Sequence, residues 1–338
     1  MPGAEISVII LTRGRPELLA RCLESLRAAG VPGEVLVGID GADPASSGVL
    51  GKFPGTRAVQ LPRGCRGEAR NELVRLASGR WLCFLDDDTV LPPGYFWRLR
   101  ALIEAGGGFS VFGGGQELYS GAGRFERAVY RLLRSRWASG PFTPRFAPVS
   151  GSYEAGPGKF VLCNLTLDRE FLAARGLSFE GHLSSAEENL LLGRMAADGA
   201  RMLLSGDLNL VHRRRTSAGA FVRQVFSSGR GRGQITVQAR SGFCAFTLLP
   251  PAALAAGPVL AAAAPGTACA LGLLYLSACA VSAVLSGEGA SDAPLVFCLY
   301  PALHAAYGAG WIFGALEELL ETFRGRARPA RCRCQGRP

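Results

Sequence analysis

Lysine is nearly absent from this chain of 338 residues: Lys52 and Lys159 are the only two, so arginine supplies almost all of the basic count behind a net charge of +10. A basic balance suits nucleic acid, anionic lipid or phosphorylated substrates, and does not choose among them. The ten cysteines make no dense framework, which argues against a small disulfide-stapled secreted domain. Cys83, Cys163, Cys269, Cys279 and Cys298 sit in apolar runs and read as buried free thiols in a reducing compartment. Cys332 and Cys334 form a CxC in the tail, a weak metal signal weighed against an inert tail. No charged segment followed by a short apolar run opens the chain, so no signal peptide is expected and the catalytic part should stay in the cytoplasm. There is no Gly-rich N-terminal loop with a following lysine, which weakens the alternative of a nucleotidyltransferase, and no internal repeat is visible.

What is present has the pattern of an α/β protein. "ISVIIL" (6–11) is a continuous apolar run and reads as a strand buried on both faces. Residues 15–30 follow with Leu18, Leu19, Cys22, Leu23 and Leu26 on one helical face, Pro16 in the first turn and Gly30 at the end. "EVLVGID" (34–40) is a second strand that ends in a "GADP" loop, "TRAVQLP" a third, "RGEARNELVRLAS" a helix and "RWLCFLDDD" a fourth strand. The βαβ order predicts an open, doubly wound, mostly parallel sheet over 1–90. Ligands of such sheets sit beyond the carboxyl ends of the strands, so Asp40 and the triplet Asp86, Asp87 and Asp88 point into that crevice. Residues 95–240 mix helix, short strand and loop. "FLAARGLSF" and 187–200 read as helices, and "RMLLSGDLNLVHRRR" as one or two strands ending at His212.

The composition then shifts. Residues 248–264, 267–285 and 295–316 contain no acid, lysine or arginine. The second and third are about 20 residues long, which suits membrane spans. The first holds Pro250, Pro251 and Pro258 and reads as a broken span or an interfacial helix. The expected division is a catalytic domain at 1–240, a membrane region at 245–318 and a basic tail at 319–338. "HRRRTSAGAFVRQVFSSGRGRG" before the apolar segments and "FRGRARPARCRCQGRP" after them are both basic. Both should therefore face the cytoplasm, which favours two spans with "SGEGASDAP" outside. Three spans are the alternative and would put the tail outside.

The aspartate triplet is the first chemical signal. Like charges gain nothing by crowding a strand end, whereas Mg²⁺ or Mn²⁺ takes carboxylate oxygens plus substrate phosphates. Asp86 and Asp88 share one face of an extended segment, with Asp87 on the other. A solvated acidic loop is the competing reading. Glu187 and Glu188 are the second signal. By themselves they would be an acidic first helical turn, favourable to the helix dipole.

Taken in order, "ISVIILTRGRPELLARCLESL", "EVLVGIDG", "GEARNELVRLASGRWLCFLDDDTVLPPGY" and "EENLLLGRM" resemble the successive signatures of family-2 glycosyltransferases. The resemblance covers about residues 5–232. It implies a GT-A fold, a nucleotide-diphosphate sugar donor and inversion at the anomeric carbon. By position it implies that Thr12 and Arg15 edge the nucleotide and that Asp40 holds the base, although Ile39 replaces the first aspartate usual there. Arg70 and Asn71 match an "ARN" near the nucleotide. Asp86 and Asp87 fall on the nucleotide-sugar side, and Asp88 is the implied ligand of a divalent cation, with His212 near the metal or diphosphate. Glu188 matches the general base, where the family usually has aspartate, with Glu187 beside it. Asn164 falls on the acceptor side, and Arg223, Arg230 and Arg232 face diphosphate or anionic lipid. "RQVFSSGRGRG" lacks the tryptophan of processive members, which implies transfer of a single sugar. The implied partners are a nucleotide-sugar donor, a lipid-linked or glycan acceptor and membrane lipids. A nucleic-acid partner is disfavoured by the acidic crevice. A membrane scaffold that binds nucleotide-sugar or lipid without turnover is the remaining alternative.

Overall fold

The computed structural model describes residues 5–30, 33–239, 244–287 and 290–324. Cys332, Cys334 and nearly all of the basic tail lie outside the described residues. In chain order the elements of the first half are β1 (Ile6–Thr12), α1 (Pro16–Ala29), β2 (Glu34–Asp40), α2 (Pro44–Leu50), β3 (Thr56–Leu61), α3 (Arg66–Leu76), β4 (Trp81–Asp86), β5 (Thr89–Val90), α4 (Tyr95–Glu104), β6 (Phe109–Gly113), β7 (Gln116–Leu118), α5 (Arg124–Arg134) and α6 (Arg136–Ser139). There follow β8 (Ser152–Glu154), β9 (Asn164–Asp168), α7 (Arg169–Arg175), α8 (Glu187–Ala197), β10 (Arg201–Ser205), β11 (Leu210–His212), α9 (Ala218–Ala239), α10 (Leu249–Ala263), α11 (Pro265–Leu285) and α12 (Ala293–Phe323).

The main sheet runs in the order β3-β2-β1-β4-β9-β6-β10-β8. β1 to β4 are parallel, and β9 pairs antiparallel with both β4 and β6. The continuous apolar runs reflect burial on both faces. Val8, Ile10, Val37, Cys83 and Leu85 pack toward α1 and α4. The alternate residues Ile9, Leu36, Leu82 and Phe84 pack toward α3 and α8. Each such side chain removed from water contributes about 1.5–3 kcal/mol. α1 buries Leu19, Cys22, Leu23 and Leu26 and closes at Gly30, whose φ of 72° is left-handed. The "GADP" segment is more than a loop. Asp43 accepts a hydrogen bond from the Ser46 amide at 3.1 Å and caps α2, with Pro44 in its first turn.

A second, three-stranded sheet, β5-β11-β7, sets β11 antiparallel to β5 and pairs His212 with Thr89. The Arg213 amide donates to the Asp88 carbonyl at 3.1 Å. This small sheet carries His212 from far down the chain to the aspartate triplet.

α10, α11 and α12 are each, with their flanks, long and apolar enough to cross a membrane by length and composition. They are not a separate module. α12 continues to Phe323 and packs along α9 and α5. Glycine makes the α9–α12 contact: a Cβ on Gly229 or Gly233 would strike the carbonyls of Tyr307 or Trp311. A Cβ on Gly310 or Gly314 would strike those of Phe226 or Arg230. Arg230 adds a two-pronged ion pair to Glu317 at 2.7 and 2.8 Å. The segment expected on the far side of a membrane is also tied to α5. Arg131 of α5 donates to the Gly287 carbonyl at 3.0 Å, Arg124 to that of Ser291 at 2.8 Å, and Arg124 and Arg127 both pair with Asp292. Of the thiols expected to be buried, Cys83, Cys163 and Cys279 are; Cys269 and Cys298 lie on outward faces of α11 and α12 and are exposed.

Gly314→Leu should cost about 3 kcal/mol or more, because the added side chain meets backbone that cannot rotate away. Gly272→Leu, with nothing within 4 Å of its Cβ direction, should leave the melting temperature of the detergent-solubilised protein unchanged. Equal melting temperatures for the two variants would refute the close contact.

Candidate active site

The site forms where β1, β4 and β11 end. The last residue of β1, Thr12, donates to Asp87 at 2.8 Å. Arg15, just before α1, reaches Asp87 at 3.1 Å and Asp88 at 3.0 Å. Burial pushes the Asp87 carboxyl up to about 6, helped by the charge of Asp88 and opposed by Arg15 and Thr12. Burial acts on Asp88 in the same sense, but His212 and Arg15 outweigh it and hold that carboxyl well below the usual range. His212 bridges the small sheet: Nε2 meets Asp88 Oδ1 at 2.9 Å, and Nδ1 meets Gln116 Oε1 at 2.7 Å. Burial alone would lower its pKa, yet Cys163 and Asp88 raise it to about 10.

The three aspartates have different surroundings. Asp87 and Asp88 are buried and engaged by Thr12, Arg15 and His212. Asp86 is partly exposed, lines the main cavity, and its carboxylate accepts no hydrogen bond from the described residues. A carboxylate oxygen of Asp86, the Cys163 sulfur and a ring nitrogen of His212 lie within 4.8 Å of one another. Asp86, unlike Asp88, lines the cavity.

Across the cavity, α8 opens with the two glutamates. Ala186 just before them has φ 64°, the one non-glycine residue in the left-handed region among the described residues. Strain of this kind is retained where the surroundings over-determine it, often at functional sites. Arg70 forms a buried ion pair with Glu187. Glu188 Oε1 accepts from Arg145 at 2.7 Å and from Asn189 at 2.8 Å. Burial raises the Glu188 carboxyl; Arg145 pulls it down and Glu187 pushes it up.

The cavity between these walls has a volume of about 310 Å³ and is lined by seven arginines against three carboxylates, Asp86, Glu187 and Glu188. The arginines are Arg66, Arg70, Arg145, Arg213, Arg214, Arg215 and Arg232. Glu126 of α5 neutralises Arg213 through two bonds of 2.9 Å. The Nε atoms of Arg145 and Arg214 are buried without a partner among the described residues. The same cavity is lined by apolar groups of Phe142, Phe146, Phe221, Phe246, Leu303 and Tyr307, the last two from α12.

Several residues expected at the site do other work. Asn164 is fully buried, accepts from Tyr95 at 2.7 Å and donates to the carbonyls of Leu208 at 2.7 Å and Gly115 at 3.2 Å; it ties strands together and is not on the cavity wall. Both ends of the Asn71 amide bond to the Phe179 backbone, at 2.8 and 3.0 Å, so it pins a loop and contacts no ligand space. Arg230 is taken by Glu317, and Arg223 is exposed on α9 away from the cavity. Asp40 accepts from the Gly64 amide at 3.1 Å and lies beside a separate, open groove lined by Asp43, Gln60 and Arg63. Arg145, Cys163, Gln116 and Arg214 were missed from sequence. Only Arg214 carried a visible signal, the arginine run after His212.

Residues 7–160 match the family model described as glycosyl transferase family 2. The chain is 27% identical to the succinoglycan biosynthesis protein ExoM of Rhizobium meliloti (strain 1021) over 270 residues, covering 71% of this chain and 82% of that one. It is 28% identical to ExoO of the same organism over 205 residues, covering 58% and 57%. Among solved structures, a mannosyltransferase from Pyrobaculum calidifontis, in complex with GDP-Man and Mn²⁺, aligns over 94% of this chain and 87% of its own, with TM-score 0.53 and 18% identity. TarS 1–349 of S. aureus, in complex with UDP, aligns over 96% and 93%, with TM-score 0.52 and 16% identity. The two structures share the fold with this chain.

Proposed function

We propose, from the premise that this chain is a glycosyltransferase with a family-2 catalytic domain, that it transfers a single sugar from a nucleotide-diphosphate sugar to a lipid-linked acceptor, with inversion, at a membrane surface. The observation that carries the acceptor class is the cavity wall. It combines the carboxylates of Asp86 and Glu188 with apolar residues of α9 and α12 in one cavity. A lipid-linked glycan fits that combination of charge and hydrocarbon, and both curated relatives are named for the synthesis of a polysaccharide, succinoglycan. The basic residues of α9 support a cytoplasmic setting for the domain.

In the proposed reaction Glu188 takes the proton of the acceptor hydroxyl. That oxygen bonds to the anomeric carbon as the carbon's bond to the donor diphosphate breaks on the opposite face. Arg145 and Asn189 aim the Glu188 carboxylate. The arginine excess supplies counter-charge for the diphosphate. Asp86 would hold Mn²⁺ or Mg²⁺, and His212 would join through Nδ1 only on losing its proton and releasing Gln116, with Asp88 on Nε2 orienting the imidazole. A divalent cation, when bound, would offset the charge of the departing diphosphate.

The test pairs the purified, lipid-reconstituted protein with UDP-, GDP- and dTDP-sugars and Mn²⁺, offering a polyprenyl-diphosphate-linked glycan or the same glycan in soluble form. One sugar should be added, and the lipid-linked form should have the higher kcat/KM. Equal kcat/KM for the soluble glycan would overturn the lipid reading.

A further inference from the structure

The apolar helices leave the catalytic domain and return to it. Residues 241–287 contain no Asp, Glu, Lys, Arg or His. α10 departs from α12 where Gly308 lies against the Pro250 carbonyl. Beyond Pro251 it is largely exposed, Val259 at 67%. One residue, Ala264, joins it to α11. α11 is exposed through Leu271, Leu273 and Leu274; from Tyr275 on, one face docks again, while Leu276, Val281, Val284 and Leu285 stay exposed on the other. The Tyr275 hydroxyl meets His304 Nδ1 at 2.9 Å, the Ser282 hydroxyl meets Tyr300 at 2.6 Å and Ser135 at 2.8 Å, and Trp137 Nε1 donates to the Cys279 sulfur at 3.4 Å. The two arms are thus a hairpin standing on α12 and α6.

Its reach is short. From Pro251 to Ala263, and from Tyr275 back to Pro265, the arms extend about 18 and 15 Å at 1.5 Å per residue. The hydrocarbon core of a bilayer is about 30 Å thick. The tip suits hydrocarbon. The Ala264 N–H bonds to the Leu260 carbonyl at 2.8 Å, the Ala268 N–H bonds to the Ala264 carbonyl at 3.0 Å, and Pro265 has no N–H to satisfy. α12 cannot carry the chain across either, because its start is held to α5 through Asp292 and its end to α9 through Glu317.

We infer that α10 and α11 form a re-entrant hairpin that dips into one leaflet of a lipid bilayer, with its tip at 261–267 in the hydrocarbon. α12 lies at the surface between hairpin and catalytic domain, and the described chain enters and leaves the membrane on one face. This replaces the expected pair of spans with the 286–294 segment outside. It rests on the reading that these helices meet a bilayer and leaves donor and chemistry untouched, so a chain that crosses the membrane while still transferring sugar would sink this inference alone.

The test places p-azidophenylalanine separately at Thr267, Ser291 and the exposed Lys52 of the full chain. Sealed vesicles of either orientation are then treated with a membrane-impermeant cyclooctyne dye. Ser291 should label from the same side as Lys52. Thr267 should label from neither side until detergent dissolves the vesicle. Labelling of Thr267 or Ser291 from the side opposite Lys52 would overturn the proposal. So would labelling of Thr267 from the Lys52 side, or release of the protein by an alkaline wash as a dimer with the hairpin still masked.

Discussion

Glu188→Gln should lower kcat about a thousandfold while leaving donor affinity within about twofold, because general-base assistance contributes roughly 10²–10⁴ and the amide cannot accept the proton. The amide keeps the size of the side chain and still accepts the Arg145 hydrogen bond, but it leaves the buried Arg145 charge without its partner, so turnover is to be compared below the variant's melting temperature. Unchanged turnover with the true acceptor would remove Glu188 from the base role. The pH profile supplies a second reading. Burial raises the Glu188 carboxyl and Arg145 pulls it back. The base must be ionised, so activity should rise with pH through the raised value. Arg145→Met removes the lowering charge, and the acid limb of kcat/KM should move to higher pH. A limb that stays in place, or moves down, would mean that another group governs it. The variant also strips a buried carboxylate of its partner, at a cost of about 3–5 kcal/mol, so its profile is to be read below its melting temperature.

Asp86→Asn should abolish most metal-dependent transfer, by more than about a hundredfold, and should weaken Mn²⁺ binding read directly by electron paramagnetic resonance. Asp88→Asn should act more mildly. As the group that orients His212 it should weaken Mn²⁺ affinity about 10–100-fold, with activity regained at high Mn²⁺. The two outcomes test how the triplet is divided. If Asp88→Asn loses Mn²⁺ binding outright while Asp86→Asn keeps it, the ligand is Asp88 and the contact seen with His212 rearranges in the loaded enzyme.

The strands of the first half were legible because burial on both faces writes an unbroken apolar run, and α1 because its leucines recur at helical spacing. The meeting of the triplet with His212 and of Glu188 with the cavity was legible as motif order alone. The hydrogen bonds that join them were not. Asn71 and Asn164 show the limit. A polar residue in a motif position looks the same whether it holds a ligand or pins a neighbouring backbone, and only its bonds to Phe179 or to Gly115 and Leu208 decide. Arg145 sits in a 3-10 turn with no periodicity to mark it. Hydropathy marks α12 as long and apolar enough to span a membrane, but does not show the face it buries against α5 and α9. The glycine spacing at 229 and 233 and at 310 and 314 was the available clue, since small residues four apart permit backbones to meet.

That interlock bears on how the protein is made. α9 presents its glycine face to a partner that the ribosome synthesises last of the described helices. Until α12 has emerged, Gly229 and Gly233 have nothing to close on, and the wall of the cavity near Tyr307 is missing. Completion of the cavity wall therefore waits on α12. Shortening the gene before α12, the usual route to a soluble catalytic fragment, would yield an unfinished enzyme.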